Sequence, residues 1–288
     1  VNARAYAMGG HIVFGRGDPT LNPRLRGGSV DTALQPFIRA LQSAGVKSIA
    51  GNIVADESFL HGPPHGSGWS VNDLDSASGA EISALTFHDN TINLTVRPGE
   101  QPGRPAHLSL ALPTATIVLS NRVTTVRKGA RSAVEIHRRP GDDTAFITGT
   151  IALEDTFAAE IPVHRPARLF AEQFRDTLIR HGITVTGSTR VIDWIDRGIA
   201  PINPAVLIEL GAVESLPLGD ILGEILKPSQ NLYTDLLLAH VGEQTRNAAT
   251  TGRTSEELGI AALNSFLPRA GIRNSDVLFA EGSGSSRH

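Results

Sequence analysis

Between residues 82 and 165 the apolar residues recur with a period of two, and on either side they recur at helical spacing. Ile92, Leu94 and Val96 alternate with Asn93, Thr95 and Arg97; Leu108, Leu110 and Leu112 repeat the pattern, as do Val134 and Ile136. Alternation puts the apolar side chains on one face of a pleated strand, so half-buried antiparallel strands are predicted there. A strand-period block and a helix-period block cannot share one continuous element. The chain is therefore expected to be α+β and multi-domain, with its strands and helices segregated.

The flanks carry clear punctuation. His11-Ile12-Val13-Phe14 reads as a strand, followed by a turn at Gly15-Arg16-Gly17-Asp18-Pro19. Leu34, Phe37, Ile38 and Leu41 fall at helical spacing and Gly45 is a stop signal; Ser48 to Val54 reads as the next strand. Residues 61–80, rich in Gly, Pro, Ser and Asp, read as a loop. Pro166 opens a helix carrying Leu169, Phe170, Phe174 and Leu178, which Gly182 ends. Ile183 to Val191 is predicted as a strand, and residues 197–217, with three prolines, as a linker. Then come three helices: one with Leu218, Ile221, Leu222, Ile225 and Leu226, one with Leu232, Leu236 and Leu237, and one opened by a Thr254/Glu257 capping box.

Composition bounds the function. With 288 residues the chain is long enough for two or three domains. A formal charge of −3 and scattered arginines give no nucleic-acid footprint. No apolar run reaches the roughly 18 residues of a membrane span. With no cysteine, disulfides, thiol catalysis and cysteine-bound zinc are excluded. The opening Val1-Asn2-Ala3-Arg4 has neither an initiator Met nor a leader, and both ends read as cut.

Candidate chemistry is sparse. Ser229-Gln230-Asn231 lies between two predicted helices: Ser229 is either an N-cap or the serine of a Ser-x-Asn element. That element belongs to a signature whose other parts are Ser-x-x-Lys and Lys-Thr-Gly. The lysines are Lys47, Lys128 and Lys227; none is preceded at three residues by Ser and none is followed by Thr-Gly. His61 and His65 are separated by Gly62-Pro63-Pro64, which forbids a helix that would align them, so no metal site is predicted. Arg16-Gly17-Asp18 matches an adhesion tripeptide, but tight-turn chemistry already explains Gly-Asp-Pro there. Gly282-Ser283-Gly284-Ser285-Ser286 is a flexible linker or a shaped loop.

Several segments taken together resemble one family. They are Gly15-Arg16-Gly17-Asp18-Pro19-Thr20-Leu21, Ala44-Gly45-Val46-Lys47-Ser48-Ile49-Ala50-Gly51-Asn52-Ile53-Val54-Ala55-Asp56, Trp69, and Ile82-Ser83-Ala84-Leu85-Thr86. His181-Gly182-Ile183-Thr184-Val185-Thr186-Gly187, Leu226-Lys227-Pro228-Ser229-Gln230-Asn231-Leu232-Tyr233 and Ala280-Glu281-Gly282-Ser283-Gly284-Ser285-Ser286-Arg287-His288 continue the series in order. They resemble the class C low-molecular-mass penicillin-binding proteins, the D-alanyl-D-alanine carboxypeptidase/endopeptidase family. Glu281 stands where the family pattern has Asp, and Ser285 where it has Leu.

The resemblance implies a penicillin-binding-protein/β-lactamase-like transpeptidase domain with β-rich inserted domains: insertions at 1–216 and part of the transpeptidase domain at 217–288. It implies a serine hydrolase that cuts peptidoglycan stem peptides through an acyl-enzyme, is acylated by β-lactams when intact, needs no cofactor and works in the bacterial periplasm or outside the cytoplasm. By motif position Ser229 relays protons near the leaving group and Asn231 hydrogen-bonds the substrate amide. Lys227, Ser283 and Asp73 are the implied substrate-binding residues. Lys227 flanks the motif and also admits a purely structural role, and Asp73 is either an amine-binding acid or an exposed loop aspartate. In the family the Ser-x-x-Lys precedes these segments and the Lys-Thr-Gly follows them, so the chain as given is expected to be inactive. The alternative is a non-catalytic relative that binds peptidoglycan or serves as a scaffold.

Overall fold

The structure, a computed structural model, describes residues 2–7 and 10–284. In chain order its elements are β1 (Asn2–Ala7), β2 (His11–Phe14), α1 (Val30–Ser43), β3 (Ser48–Ile49), β4 (Ile53–Asp56), β5 (Thr91–Arg97) and β6 (His107–Leu110). They continue as β7 (Val118–Val126), β8 (Ala133–Arg138), β9 (Thr144–Ala152), β10 (Phe157–Pro162), α2 (Pro166–Arg180), β11 (Thr184–Val185) and β12 (Thr189–Ile192). The last are α3 (Trp194–Ile199), β13 (Ile208–Glu214), α4 (Leu218–Leu226), α5 (Asn231–Thr245) and α6 (Ser255–Phe266). Short 3-10 turns fill parts of the intervening loops.

The chain divides into two compact units. One comprises residues 1–69, 81–89 and 165–288; the other comprises 70–80 and 90–164. The second unit takes in residues 90–164 of the period-two block, and the regular elements of that stretch are strands, whereas residues 82–89 of the block belong to the first unit. β10, β5 and β6 form the expected antiparallel sheet, and β9 lies between β8, antiparallel, and β7, which runs parallel to it and corrects the antiparallel expectation there. In β5 the alternation is realised as predicted: Ile92, Leu94 and Val96 are fully buried while Asn93 and Arg97 are exposed.

In the first unit, a five-stranded sheet runs in the order β12-β4-β2-β1-β13. β2, β4 and β12 are parallel, and β1 runs antiparallel to both of its neighbours. Helix α2 packs on β4 and β12, and α1 packs on α2 and β13. Their apolar stripes meet in a phenylalanine cluster. Phe37 of α1 stands edge-on to Phe170 and Phe174 of α2, with ring centroids 6.1 and 5.7 Å apart. Phe170 stacks on Phe174 at 5.6 Å and meets Phe87 at 6.3 Å. All four are buried, and each such pair adds about 0.5–1.5 kcal/mol beyond the area it removes from water.

Three further sequence expectations are corrected. The strands predicted over 48–54 and 183–191 are each broken in two, into β3/β4 and β11/β12. The breaks coincide because the backbones touch there. A Cβ on Gly187 would lie 2.3 Å from the carbonyl oxygen of Gly51, and the Asn52 side chain accepts from Ser188 N–H at 3.0 Å. The segment read as a linker contains β13, whose backbone pairs with β1. Its sequence, Ile-Glu-Leu-Gly-Ala-Val-Glu, does not show a clean alternation, and it is the ladder to β1 that makes it a strand.

The Arg16-Gly17-Asp18 turn also loses its adhesion reading. Asp18 is 5% exposed, and its carboxylate accepts from the Thr20 amide and hydroxyl at 2.7 and 2.6 Å. Arg26 supplies its counter-charge at 3.4 Å. A carboxylate committed inside the fold is not available to an external receptor.

Candidate active site at the junction of two helices

Helix α4, of 9 residues, is amphipathic; helix α5, of 15 residues, is apolar on more than one face; Lys227-Pro228-Ser229-Gln230 joins them. Ile221 and Ile225 of α4 pack with Leu232, Tyr233 and Leu236 of α5 in a small apolar cluster. The opposite stripe of α4, Leu218, Leu222 and Leu226, is exposed, Leu226 by 78%. Farther along, α5 crosses α6 backbone to backbone. A Cβ on Gly242 would lie 2.0 Å from the Ser255 carbonyl oxygen, and one on Gly259 would lie 2.3 Å from that of Leu238.

The turn between α4 and α5 is closed by its backbone. Gln230 N–H donates to the Ile225 carbonyl at 3.0 Å, spanning the end of α4. A closure of this span is usual where a helix ends on a left-handed residue, most often Gly. Here that residue is Ser229, at φ 60°. A left-handed L-residue with a Cβ costs about 1–2 kcal/mol, and such strain concentrates at functional positions. Ser229 is exposed and does not cap α5, contrary to the capping reading of the sequence. The N-cap is Gln230, whose side chain accepts from Leu232 N–H at 3.1 Å. Asn231 is the first helical residue and is half-buried; Lys227, at the C-cap of α4, is exposed.

Ser283 is tied to the same helix through its neighbours. Asp235, one turn beyond Asn231 on α5, accepts Gly282 N–H at 2.8 Å. Close approach explains the glycine: a Cβ on it would lie 2.8 Å from the Thr234 carbonyl oxygen. One oxygen of Glu281 then takes three donors, the Ser283 amide at 2.5 Å, the Ser283 hydroxyl at 2.6 Å and the Gly284 amide at 2.9 Å. The segment is a shaped loop as far as residue 284, and its residues 285–288 lie outside the described residues. Asp235 is 3% exposed, and its second oxygen has no hydrogen-bond partner. Burial, aided by the Glu281 and Glu256 charges, pushes its carboxyl up to about 7.

The structure therefore gathers Lys227, Ser229 and Asn231 at one junction and links Ser283 to it through α5. Asp73 belongs to the second unit. It is half-buried, and its carboxylate accepts from the Ser70 amide and hydroxyl, both at 2.8 Å, capping a 3-10 turn. The sequence assigned no role to Asp235, Tyr233 or Gln230, and marked Glu281 only as a departure from the family pattern. For Asp235 a signal existed, since an acidic residue four positions after Asn231 shares its helix face. Among the described residues no group of three or more His, Asp or Glu side chains is placed to hold a metal ion, and no helix is long and apolar enough to cross a membrane.

Comparison with known protein families matches residues 4–288 to the D-Ala-D-Ala carboxypeptidase 3 (S13) family. The chain belongs to that family. Among curated relatives, the D-alanyl-D-alanine carboxypeptidase of Actinomadura sp. (strain R39) is 26% identical over 286 residues, covering 96% of this chain and 49% of that protein. The D-alanyl-D-alanine carboxypeptidase DacB of Haemophilus influenzae is 25% identical over 282 residues, covering 97% of this chain and 54% of its own length. The chain thus spans about half the length of the curated relatives it matches. The crystal structure of penicillin binding protein 4 from H. influenzae superposes on all of this chain with a TM-score of 0.78 at 23% identity, covering 61% of that chain. A second structure of the same protein, complexed with a β-lactam, gives 0.67 at 20% identity. This likeness extends the family's fold to the chain, several sheets and helices included.

Proposed function

We propose that this chain forms the middle of a serine D-alanyl-D-alanine carboxypeptidase/endopeptidase that acts on peptidoglycan stem peptides outside the cytoplasm. The observation that carries this reading is Ser229: an exposed serine in a left-handed turn that the helix-capping duty does not claim. In this reading the attacking serine and the lysine that takes its proton lie in parts of the protein outside this sequence, since no Ser-x-x-Lys or Lys-Thr-Gly occurs in it. The exposed leucine stripe of α4 supports the same reading, being the kind of apolar face another part of a larger domain would cover. Residues 1–216 then correspond to inserted domains and 217–288 to part of the transpeptidase domain, although the compact units divide elsewhere.

The chemistry is acyl transfer. The serine oxygen forms a bond to the carbonyl carbon of the penultimate D-alanine, the peptide C–N bond breaks, and the terminal D-alanine leaves with a proton. Water then cleaves the ester. Ser229 hydroxyl stands in the proton path to the leaving nitrogen, and the Asn231 amide hydrogen-bonds the substrate amide. Ser283 and Lys227 bind the substrate in this reading, and Asp73 is the candidate acid for a substrate amine. β-Lactams acylate the same serine because the lactam carbonyl replaces the peptide carbonyl.

The test uses mass spectrometry and two proteins. Incubated with benzylpenicillin, this chain is expected to gain no adduct, and the protein encoded by the complete gene is expected to gain one. In the complete protein Ser229→Ala is expected to slow acylation by about 10²–10⁴-fold, the range of a lost proton-transfer group, without lowering the melting temperature. A stoichiometric adduct on this chain would place the active site elsewhere. No adduct on the complete protein would favour a peptidoglycan-binding or scaffold role instead.

A further inference from the structure

We infer that Tyr233 and Asp89 are positioning residues for the Ser229–Asn231 turn, which they hold through a hydrogen bond between the first turn of α5 and the 88–89 loop. The inference rests on the proposed role of that turn. Tyr233 is the third residue of α5 and is fully buried, and its hydroxyl donates to Asp89 Oδ1 at 2.7 Å. A phenylalanine would fill the same apolar cluster, so the hydroxyl, which burial would otherwise penalise, is accounted for only by its partner. The chain goes out of its way to supply that partner: His88 and Asp89 both adopt left-handed conformations, at φ 56° and 55°.

The contact does not stop at Asp89. Its Oδ2 lies 3.8 Å from the Arg24 guanidinium, and Arg24 also pairs with Glu224 of α4. Polar side chains thus run from α4 through Arg24 and Asp89 to Tyr233 on α5, bridging the two helices that flank Ser229. The other restraints on the turn are of different kinds. Gln230 closes it locally through its amide and side chain, and the Ile221, Ile225, Leu232, Tyr233 and Leu236 cluster is apolar. Apolar packing is non-directional, and a local cap does not set the angle between two helices. The hydroxyl–carboxylate bond, together with the Arg24–Glu224 pair, supplies directional restraint across the junction. Burial and the adjacent carboxylate hold the Tyr233 phenol above its ordinary pKa, so it remains a donor across the working pH range.

The experiment compares Asn231→Ala, Tyr233→Phe, Asp89→Gly and Asp89→Asn in the protein encoded by the complete gene, using kcat, KM and penicillin acylation on one side and melting temperature on the other. Glycine removes the Asp89 carboxylate without straining the left-handed backbone, and asparagine keeps an acceptor for the hydroxyl. Tyr233→Phe and Asp89→Gly are expected to lower kcat about tenfold with KM nearly unchanged, and Asp89→Asn to recover to within about threefold of wild type. The inference is overturned if Tyr233→Phe leaves kcat intact, if Asp89→Asn is no better than Asp89→Gly, or if every loss of rate tracks a loss of melting temperature. If Asn231→Ala is also silent, the Ser-x-Asn reading has failed, and amide NMR shifts of the present chain decide the inference alone. Ser229 and Asn231 amides displaced by Tyr233→Phe would uphold it, and unmoved amides would overturn it.

Discussion

Around Phe170 the aromatic side chains of the first unit sit where their preferences agree. Helical spacing, apolar character, burial and aromatic geometry all point into one core, and the buried Thr177 hydroxyl on the same helix is satisfied by the Gln173 carbonyl. At the α4–α5 junction the preferences conflict. A serine occupies a left-handed turn, three leucines face outward, and an aspartate and a tyrosine hydroxyl are buried one turn into a helix. Natural sequences are locally consistent except where something else is being selected, and the contrast accords with the role proposed for the junction.

The largest effect is expected in the core itself. Phe170→Ala is expected to cost about 3–5 kcal/mol, measured by urea unfolding, because it opens a cavity among rings that cannot collapse into it. A loss below about 1 kcal/mol would mean the phenylalanine cluster is not the stable part. Next comes the crossing of α5 and α6. Gly242→Ala is expected to cost about 1–3 kcal/mol despite alanine's better helix propensity, because the new Cβ meets the Ser255 carbonyl oxygen head-on.

Asp235 extends the contrast to pH. Its native pKa of about 7 lies above the ordinary value of 3.8, so between these the native state holds a proton that the unfolded chain has released. Stability from this group is therefore full below about pH 4 and is lost as pH rises through about 7. Asp235→Asn is expected to flatten that fall, making the variant the more stable protein at pH 8 and not at pH 4, as read from thermal unfolding at both. Equal differences at the two pH values would show that the carboxyl is not held neutral.

The smallest effect is at Ser229. Ser229→Gly removes the left-handed strain and is expected to raise stability by up to about 1 kcal/mol, or about 2–4 °C in melting temperature. A drop instead would mean that the serine side chain is structural and that the junction is not strained.

Elements whose signal is local were legible in the amino-acid sequence alone. The period-two block became strands, α1, α2, α4, α5 and α6 lie where their apolar spacing puts them, and the ordered series of motifs was sufficient to identify the family. The remainder was set by tertiary contacts. β13 exists because β1 pairs with it, and two predicted strands are each cut in half because Gly51 and Gly187 meet. The Tyr233–Asp89 bond joins residues 144 positions apart, and the Gly282–Asp235 bond joins residues 47 apart. Propensity and period act over a few residues, whereas these contacts depend on which distant backbones the packed core brings within hydrogen-bond reach.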